Sequence, residues 1–471
     1  MPSVSLADAV SSRQGLARLL EQLTFIGSLA LIAWTAVPYG SVEFWWTAFF
    51  EVAVFSLGGL WIIAAVLRDS YESERWLWLA IPAAILVLFS LIQSIPMGPA
   101  AAVGGISPSV KYAISADPFE TRSFALRFGA TALLAIILLR LTTNRARLQA
   151  LVSVVIGVGV AGALFGIVRQ FMQHNEMGFV LRALPRGIGY GQIISRNQFA
   201  FMMEISLGVA LGMIFGRHAR LERKLIYLAL ALPVATALIL ANSRGGILTL
   251  ISQLLFLGLL TITASARDPE SNAGLNRAGR VVTLAVRAVI IAVLLASVAM
   301  AVVWVGGEKV TSNLSTMSDE LKPTDEPSRW NTRRIEIWKA TWLMSKDHPL
   351  AGVGFGGYWI AVPRYHDASG AYTPQQAHND YLEILASGGL IGLAICAWLV
   401  VVLVKRLKDV GKASDPFRRA AWCGALVGLF GVAMHSIVDF GLHLTVNGAL
   451  CAALVVIGAA RIEDRKRGST V

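Results

Sequence analysis

HNDYLEILASGGLIGLAICAWLVVVLV, residues 378–404, starts with a histidine and ends as a run of apolar residues long enough to cross a bilayer. His378-Asn379 closes a polar stretch covering 307–378, and Asp380-Tyr381-Leu382-Glu383 opens the helix that follows. A helix needs about 20 apolar residues to cross a ~30 Å hydrocarbon core. Working outward from 378–404, runs of that kind recur at 20–38, 44–67, 76–95, 124–141, 147–171, 197–216, 223–241, 245–263, 281–306, 381–404, 420–440 and 443–460. With 55% hydrophobic and 15% charged residues and a mean hydropathy of +0.63, the composition belongs to an integral membrane protein and excludes an ordinary soluble one. The expected fold is therefore all-α and polytopic, with about 12 transmembrane helices. The first run follows Arg13 and Arg18, but it is too long for a signal-peptide core and no A-x-A site follows, so it is expected to remain as a span.

Three units follow. Residues 1–306 carry spans one to nine, 307–378 form one large loop between spans nine and ten, and 379–471 carry the last three spans and a tail. Placing the N-terminus in the cytoplasm puts about 25 of the 41 basic residues on that side, which is the bias that orients membrane proteins. Both termini are then cytoplasmic and the 307–378 loop faces outward. The net charge of +12 is mostly this topology signal plus attraction to anionic membrane lipid, so no nucleic-acid partner is inferred. Cys396, Cys423 and Cys451 all fall within spans, which suggests neither a disulfide nor a thiolate metal site.

With that orientation, ionisable groups from four distant segments reach the outer face. They are Arg196 in Ser-Arg-Asn-Gln, Arg244 in Asn-Ser-Arg-Gly-Gly, His378, and the His435, Asp439, His443 series. Charges near membrane depth are expensive and default to a functional reading; a single arginine would equally suit a side chain snorkelling to headgroups. The i, i+4, i+8 spacing of the series would place all three on one helical face and would suit a metal, but a fourth ligand is missing and no metal or other cofactor is expected. A structural or acceptor-site role is preferred for that series. Two guanidiniums can hold a diphosphate by bidentate charge-assisted bonds and stabilise it as it departs. A histidine can take the proton of an incoming hydroxyl. These are parts for displacing a polyprenyl diphosphate from a sugar C1.

His378-Asn379, nine residues, then Gly389-Leu390-Ile391-Gly392 resembles the motif of the bacterial O-antigen ligase and polymerase family, and the likeness runs from about Ser195 to Asn447. It includes Ser243-Arg244-Gly245 and Gly352-Val353-Gly354-x-Gly356. The resemblance implies a GT-C-like, metal-independent, inverting glycosyltransferase of the bacterial inner membrane, with its site facing the periplasm. The implied donor is an undecaprenyl diphosphate-linked glycan. The acceptor is a hydroxyl of a lipid A core, a growing polysaccharide or a protein. Arg196 and Arg244 are implied on the donor diphosphate and His378 as the base. Arg333, Arg334, Asn379, Glu383, His435, Asp439 and His443 are candidate acceptor or loop contacts. The alternative is a lipid-linked glycan flippase or secondary transporter, whose charges should line a path through the bundle.

Two further stretches are readable. Gly352-x-Gly354-x-x-Gly357 satisfies a dinucleotide fingerprint, but no βαβ unit surrounds it, so a tight turn packing the loop over the membrane face is expected instead. Arg329 to Leu343, with Trp330, Trp338 and Trp342 at helical spacing, predicts an interfacial helix ended before Pro349, or else one packed in the loop's own small core.

Overall fold

The computed structural model describes residues 6–68, 77–99, 111–172, 189–216, 221–266, 334–366, 373–413 and 415–462. Its helices are α1 (Leu6–Thr35), α2 (Phe44–Arg68), α3 (Leu77–Gln93), α4 (Pro118–Leu141), α5 (Arg145–Met172), α6 (Arg196–Phe215), α7 (Leu221–Leu240), α8 (Arg244–Ala266), α9 (Arg334–Asp347), α10 (Asp380–Val410), α11 (Pro416–His435) and α12 (Thr445–Ala459). Among the described residues nine helices are long and apolar enough to span a membrane, and α3 and α12 contribute shorter apolar helices. The protein is thus an all-α polytopic membrane protein. The expected span at 281–306 lies outside the described residues.

Hydrocarbon offers no hydrogen bonds, so each helix must satisfy its own backbone and its ends need partners. The sequence supplies them. Asp117 caps α4, accepting from Phe119 N–H and Glu120 N–H at 3.1 Å, and Pro118 follows in the first helical position, where its missing N–H costs nothing. Asp415 and Pro416 repeat the device at α11, with Arg418 N–H donating to the cap at 2.7 Å. The far end of α12 is closed by Arg418 itself, whose guanidinium donates to the carbonyls of Ile457, Gly458 and Ala460 at 2.6, 2.7 and 3.0 Å.

The core is α6, buried on nearly every side and packed most closely against α11. Small residues make that possible. Gly208 faces Gly428 and Gly212 faces Gly424, and a Cβ on Gly208 would come 2.5 Å from the Gly428 backbone. Such small-residue seams let backbones approach where lipid removes the hydrophobic drive for helix pairing.

The glycine segment 352–357 packs the loop against the bundle at the end of α3 and the start of α4. Within α10, Gly389 is non-helical at φ 61°, ψ −163°, and there the helix breaks. Pro349 O and Leu350 O accept from Leu390 N–H and Ile391 N–H at 2.8 and 3.1 Å, while Val353 N–H and Gly354 N–H donate to Ala386 O and Ser387 O at 3.0 and 2.9 Å. Gln93 of α3 donates to Ala351 O and Ser387 O at 2.6 and 3.0 Å, and Ala116, just before α4, donates to Val353 O at 2.8 Å. Phe355 fills the gap, stacked on Phe124 at 4.6 Å between ring centroids and edge-on to Phe89. Residues 349–357 are therefore a strap threaded between α3, α4 and α10. The irregular backbone of the strap is satisfied by protein partners on all three. A side chain on Gly389 would collide with Leu350, and its φ suits glycine alone.

The loop helix α9 buries Ile337, Ala340 and Met344 against Val353, Tyr358, Val362 and Ala377, and leaves Trp342 and Leu343 about half exposed at 49% and 48%. The small loop core is thus real, and an outer apolar face is left over. Trp330 and Arg333 lie outside the described residues.

Candidate functional site

One end of the bundle collects the starts of α6, α8, α10 and α12 and the end of α11. Ser243 caps α8, its hydroxyl oxygen accepting from Gly246 N–H at 3.1 Å, and the same hydroxyl donates to Asn197 Oδ1 at 2.9 Å. Asn197 in turn donates from Nδ2 to Asp439 Oδ2. Asp439 is the hub. It also accepts from Phe440 N–H at 2.9 Å, and it faces Arg334 at 3.6 Å and His378 Nδ1 at 3.4 Å. Three segments, 196–197, 334 and 378, thus meet on one buried carboxylate that belongs to a fourth, and 243–244 joins them through Asn197.

Burial by itself would raise the Asp439 carboxyl, but the His378 imidazole, the Arg334 guanidinium and His435 outweigh it and hold it down at about 2. It is an anion at any ordinary pH. An Nδ1–H on His378 then has a fixed acceptor, which leaves Nε2 as the ring's proton acceptor.

His378 owes its placement to its neighbours. Its φ of 51° is left-handed, a conformation that costs a non-glycine residue on the order of 1–3 kcal/mol. Asn379 caps α10, accepting from Tyr381 N–H and Leu382 N–H at 3.0 Å each, and Glu383 takes the N–H of Ala377 at 2.8 Å. Asp380 N–H donates to Ser436 O at 2.9 Å, so the first turn of α10 also closes the last turn of α11. With the capping done by others, the imidazole is available to Asp439 and stands edge-on to Phe440 at 4.8 Å.

The His435, Asp439, His443 series does not lie on one helical face, contrary to its spacing. α11 ends at His435, and Asp439 and His443 sit in a non-helical link with a single 3-10 turn at Gly441–His443. His435 points into the core, where Nδ1 meets Glu204 of α6 at 2.8 Å with both side chains essentially inaccessible. It supports the bundle, and Gly245 of α8 packs on its ring. His443 sits across Phe440 from His378, 3.5 Å from Glu383 and 3.7 Å from Asp380. Burial pushes its imidazole below the ordinary range and the charge of Arg127 adds to this, with Asp439 opposing, so it is uncharged near neutrality. Among the described residues no group of three His, Cys, Asp or Glu side chains is arranged to hold a metal.

Arg196 and Arg244 are the first residues of α6 and α8. The Ser243–Asn197 bond ties those helix starts side by side, with Arg196 exposed and Arg244 half-buried. Asn197 and Ser243 were not singled out by the sequence reading, which stopped at their charged neighbours. The cap position of Ser243, just before an apolar helix, was the available signal.

The starts of α6, α8 and α10 thus gather around a partly exposed histidine and a buried carboxylate in a polytopic helical membrane protein. Residues 228–397 match the family model described as O-antigen ligase, so this stretch is similar to the O-antigen ligase and polymerase family. The match contains Ser243, Arg244, Arg334, Asp380 and His378 but stops short of Asn197 and Asp439, so it is narrower than the likeness read from Ser195 to Asn447. No curated protein matches the chain.

Proposed function

We propose that the chain is an inverting, metal-independent glycosyltransferase of the GT-C type that moves a glycan from undecaprenyl diphosphate to a hydroxyl acceptor at the periplasmic face of the inner membrane. The observation that carries this is the convergence on Asp439 of His378, Arg334 and the two helix starts that bear Arg196 and Arg244. Arg196 and Arg244 each open a helix, so a guanidinium and a positive dipole end come together at each of the two starts. Together they suit a diphosphate and supply positive charge to it without a cation. In the reaction, Nε2 of His378 takes the proton of the acceptor hydroxyl and the new O–C1 bond forms. The C1–O bond to the diphosphate breaks with its electron pair on the departing oxygen, and Asp439 steadies the imidazolium that results. Attack opposite the leaving group inverts the anomeric centre. The acceptor is a lipid A core, a growing polysaccharide or a protein hydroxyl, and it meets the loop side of the site.

Two measurements test this. Arg244→Ala should abolish transfer, and Arg244→Lys should rescue poorly, because lysine keeps the charge and loses the planar fork; losing such a buried contact costs on the order of 2–5 kcal/mol. Near-normal transfer by Arg244→Lys would reduce this residue to an interface anchor. Sidedness is read by cysteine labelling in a cysteine-free background. A membrane-impermeant reagent added from outside should reach a cysteine placed at Lys346 and not one at Lys412, and the reverse pattern would remove the periplasmic assignment.

A further inference from the structure

Arg127 stands in the body of α4, roughly 14 Å along the axis from Pro118, in a segment apolar enough to span a membrane. A guanidinium at such depth is costly and marks a pathway or a partner. Its Nε is sealed from solvent and has no hydrogen-bond acceptor among the described residues. Glu51 of α2 lies within range of its charge, but no ion pair joins them among the described residues. One turn further on, Thr131 donates to Arg127 O at 2.9 Å, and a Cβ on Gly448 of α12 would lie 3.8 Å from the Thr131 side chain. This edge of α4 therefore looks at the start of α12, which is tied to the α1–α2 turn by Thr445 donating to Ser41 O at 2.8 Å. The charge of Arg127 also reaches His443, and the Phe440 ring stands between His443 and His378, at 5.8 and 4.8 Å between centroids.

We propose that Arg127 is a further phosphate-binding residue, holding a phosphate oxygen of the lipid-linked donor at membrane depth between α2, α4 and α12, beside His443. The inference rests on the donor reading above. Phospholipid headgroups lie at the bilayer surface, whereas this guanidinium is set along the wall of a span. The ligand class that brings a phosphate there is a long-chain prenyl phosphate or diphosphate drawn in by its chain. A guanidinium whose Nε has no acceptor among the described residues supplies a charge-assisted bond whose loss weakens binding about ten- to hundredfold.

The test uses the full chain in phosphatidylcholine proteoliposomes, with and without phosphatidylglycerol, and geranylgeranyl diphosphate as the binding probe. Arg127→Gln should weaken probe binding and raise KM for the lipid-linked donor at least tenfold, with kcat within about threefold and binding of geranylgeraniol unchanged. Arg127→Lys should fall between, and it serves as the test if the glutamine variant does not fold. A variant that binds the probe normally but loses a dependence on phosphatidylglycerol would assign Arg127 to a headgroup and overturn the proposal. So would normal binding and normal KM in both variants. A failure confined to this proposal leaves the effect of His378→Ala on kcat intact, whereas wild-type kcat in His378→Ala would sink the underlying reading.

Discussion

Replacing His378 by alanine is expected to slow glycan transfer by about 10²–10⁴-fold while leaving donor binding in place, which is the usual worth of a general base. The expectation comes from a division of labour. In the proposed mechanism the diphosphate is held by guanidiniums and helix starts, whereas His378 touches only the acceptor, and only as its hydroxyl loses a proton. The fold should tolerate the change, since Asn379, Glu383 and Asp380 make the local hydrogen bonds and the imidazole caps nothing. Single-turnover transfer with donor and acceptor saturating, beside a direct measurement of donor binding, decides the matter. Loss of donor binding or of membrane insertion would make His378 structural. Transfer at the wild-type rate would move the base elsewhere, with Asp380, Glu383 and His443 next in line; His435 drops out because Glu204 and the core enclose it.

Asp439→Asn is expected to cost nearly as much, about 10²–10⁴-fold in kcat, for a different reason. A carboxylate at this point accepts from Nδ1–H and leaves Nε2 basic, whereas an amide can donate to Nδ1, select the other tautomer and remove the base; the analogous change in serine proteases has an effect at the upper end of that range. The amide also leaves Arg334 without its anion and gives Asn197 a competing donor. Asp439 acts through His378 and is a positioning residue, so the signature is a fall in kcat with donor KM nearly unchanged and an altered pH–rate profile. A variant that keeps its rate and loses only thermal stability would reduce Asp439 to a structural tie between α6, α9 and α10.

Nine spans among the described residues were legible because crossing a bilayer needs only length and apolarity, and runs such as 44–67 and 147–171 show both. Helix ends were harder to read. The apolar run 420–440 continues through Ile437, Val438 and Phe440, so composition carries the helix past His435. The chain leaves it earlier because Asp380 N–H takes Ser436 O and the Asp439 carboxylate takes Phe440 N–H, two long-range bonds that a hydropathy profile does not contain. The same blindness put Asp439 on a helical face with His435 and His443. Arg244, His378 and Asp439 could be named from charge and context, but that Asp439 joins their segments, through Asn197 and Ser243 in the case of α8, emerges only when α6, α8 and α11 are packed. The break in α10 was hidden too. Gly389 was visible as part of a motif, but nothing in one chain's sequence says that residues 349–357 dock there.

The glycine seam between α6 and α11 carries no chemistry of its own, yet it sets the dimensions of the network above it. Asn197 rides on α6 and Asp439 follows directly from α11, so the distance between them is the distance between two helix axes. With backbone against backbone at Gly208, Gly212, Gly424 and Gly428, that distance is already the shortest two helices allow and has no slack for drift. The parts proposed to face the acceptor hang instead from a loop strapped across a broken helix. In engineering terms the molecule has a fixed gauge and an exchangeable tool: changes in α9 and its loop can re-cut the proposed acceptor side, whereas a side chain at Gly208 or Gly212 would push α6 off α11 and carry Asn197 away from Asp439.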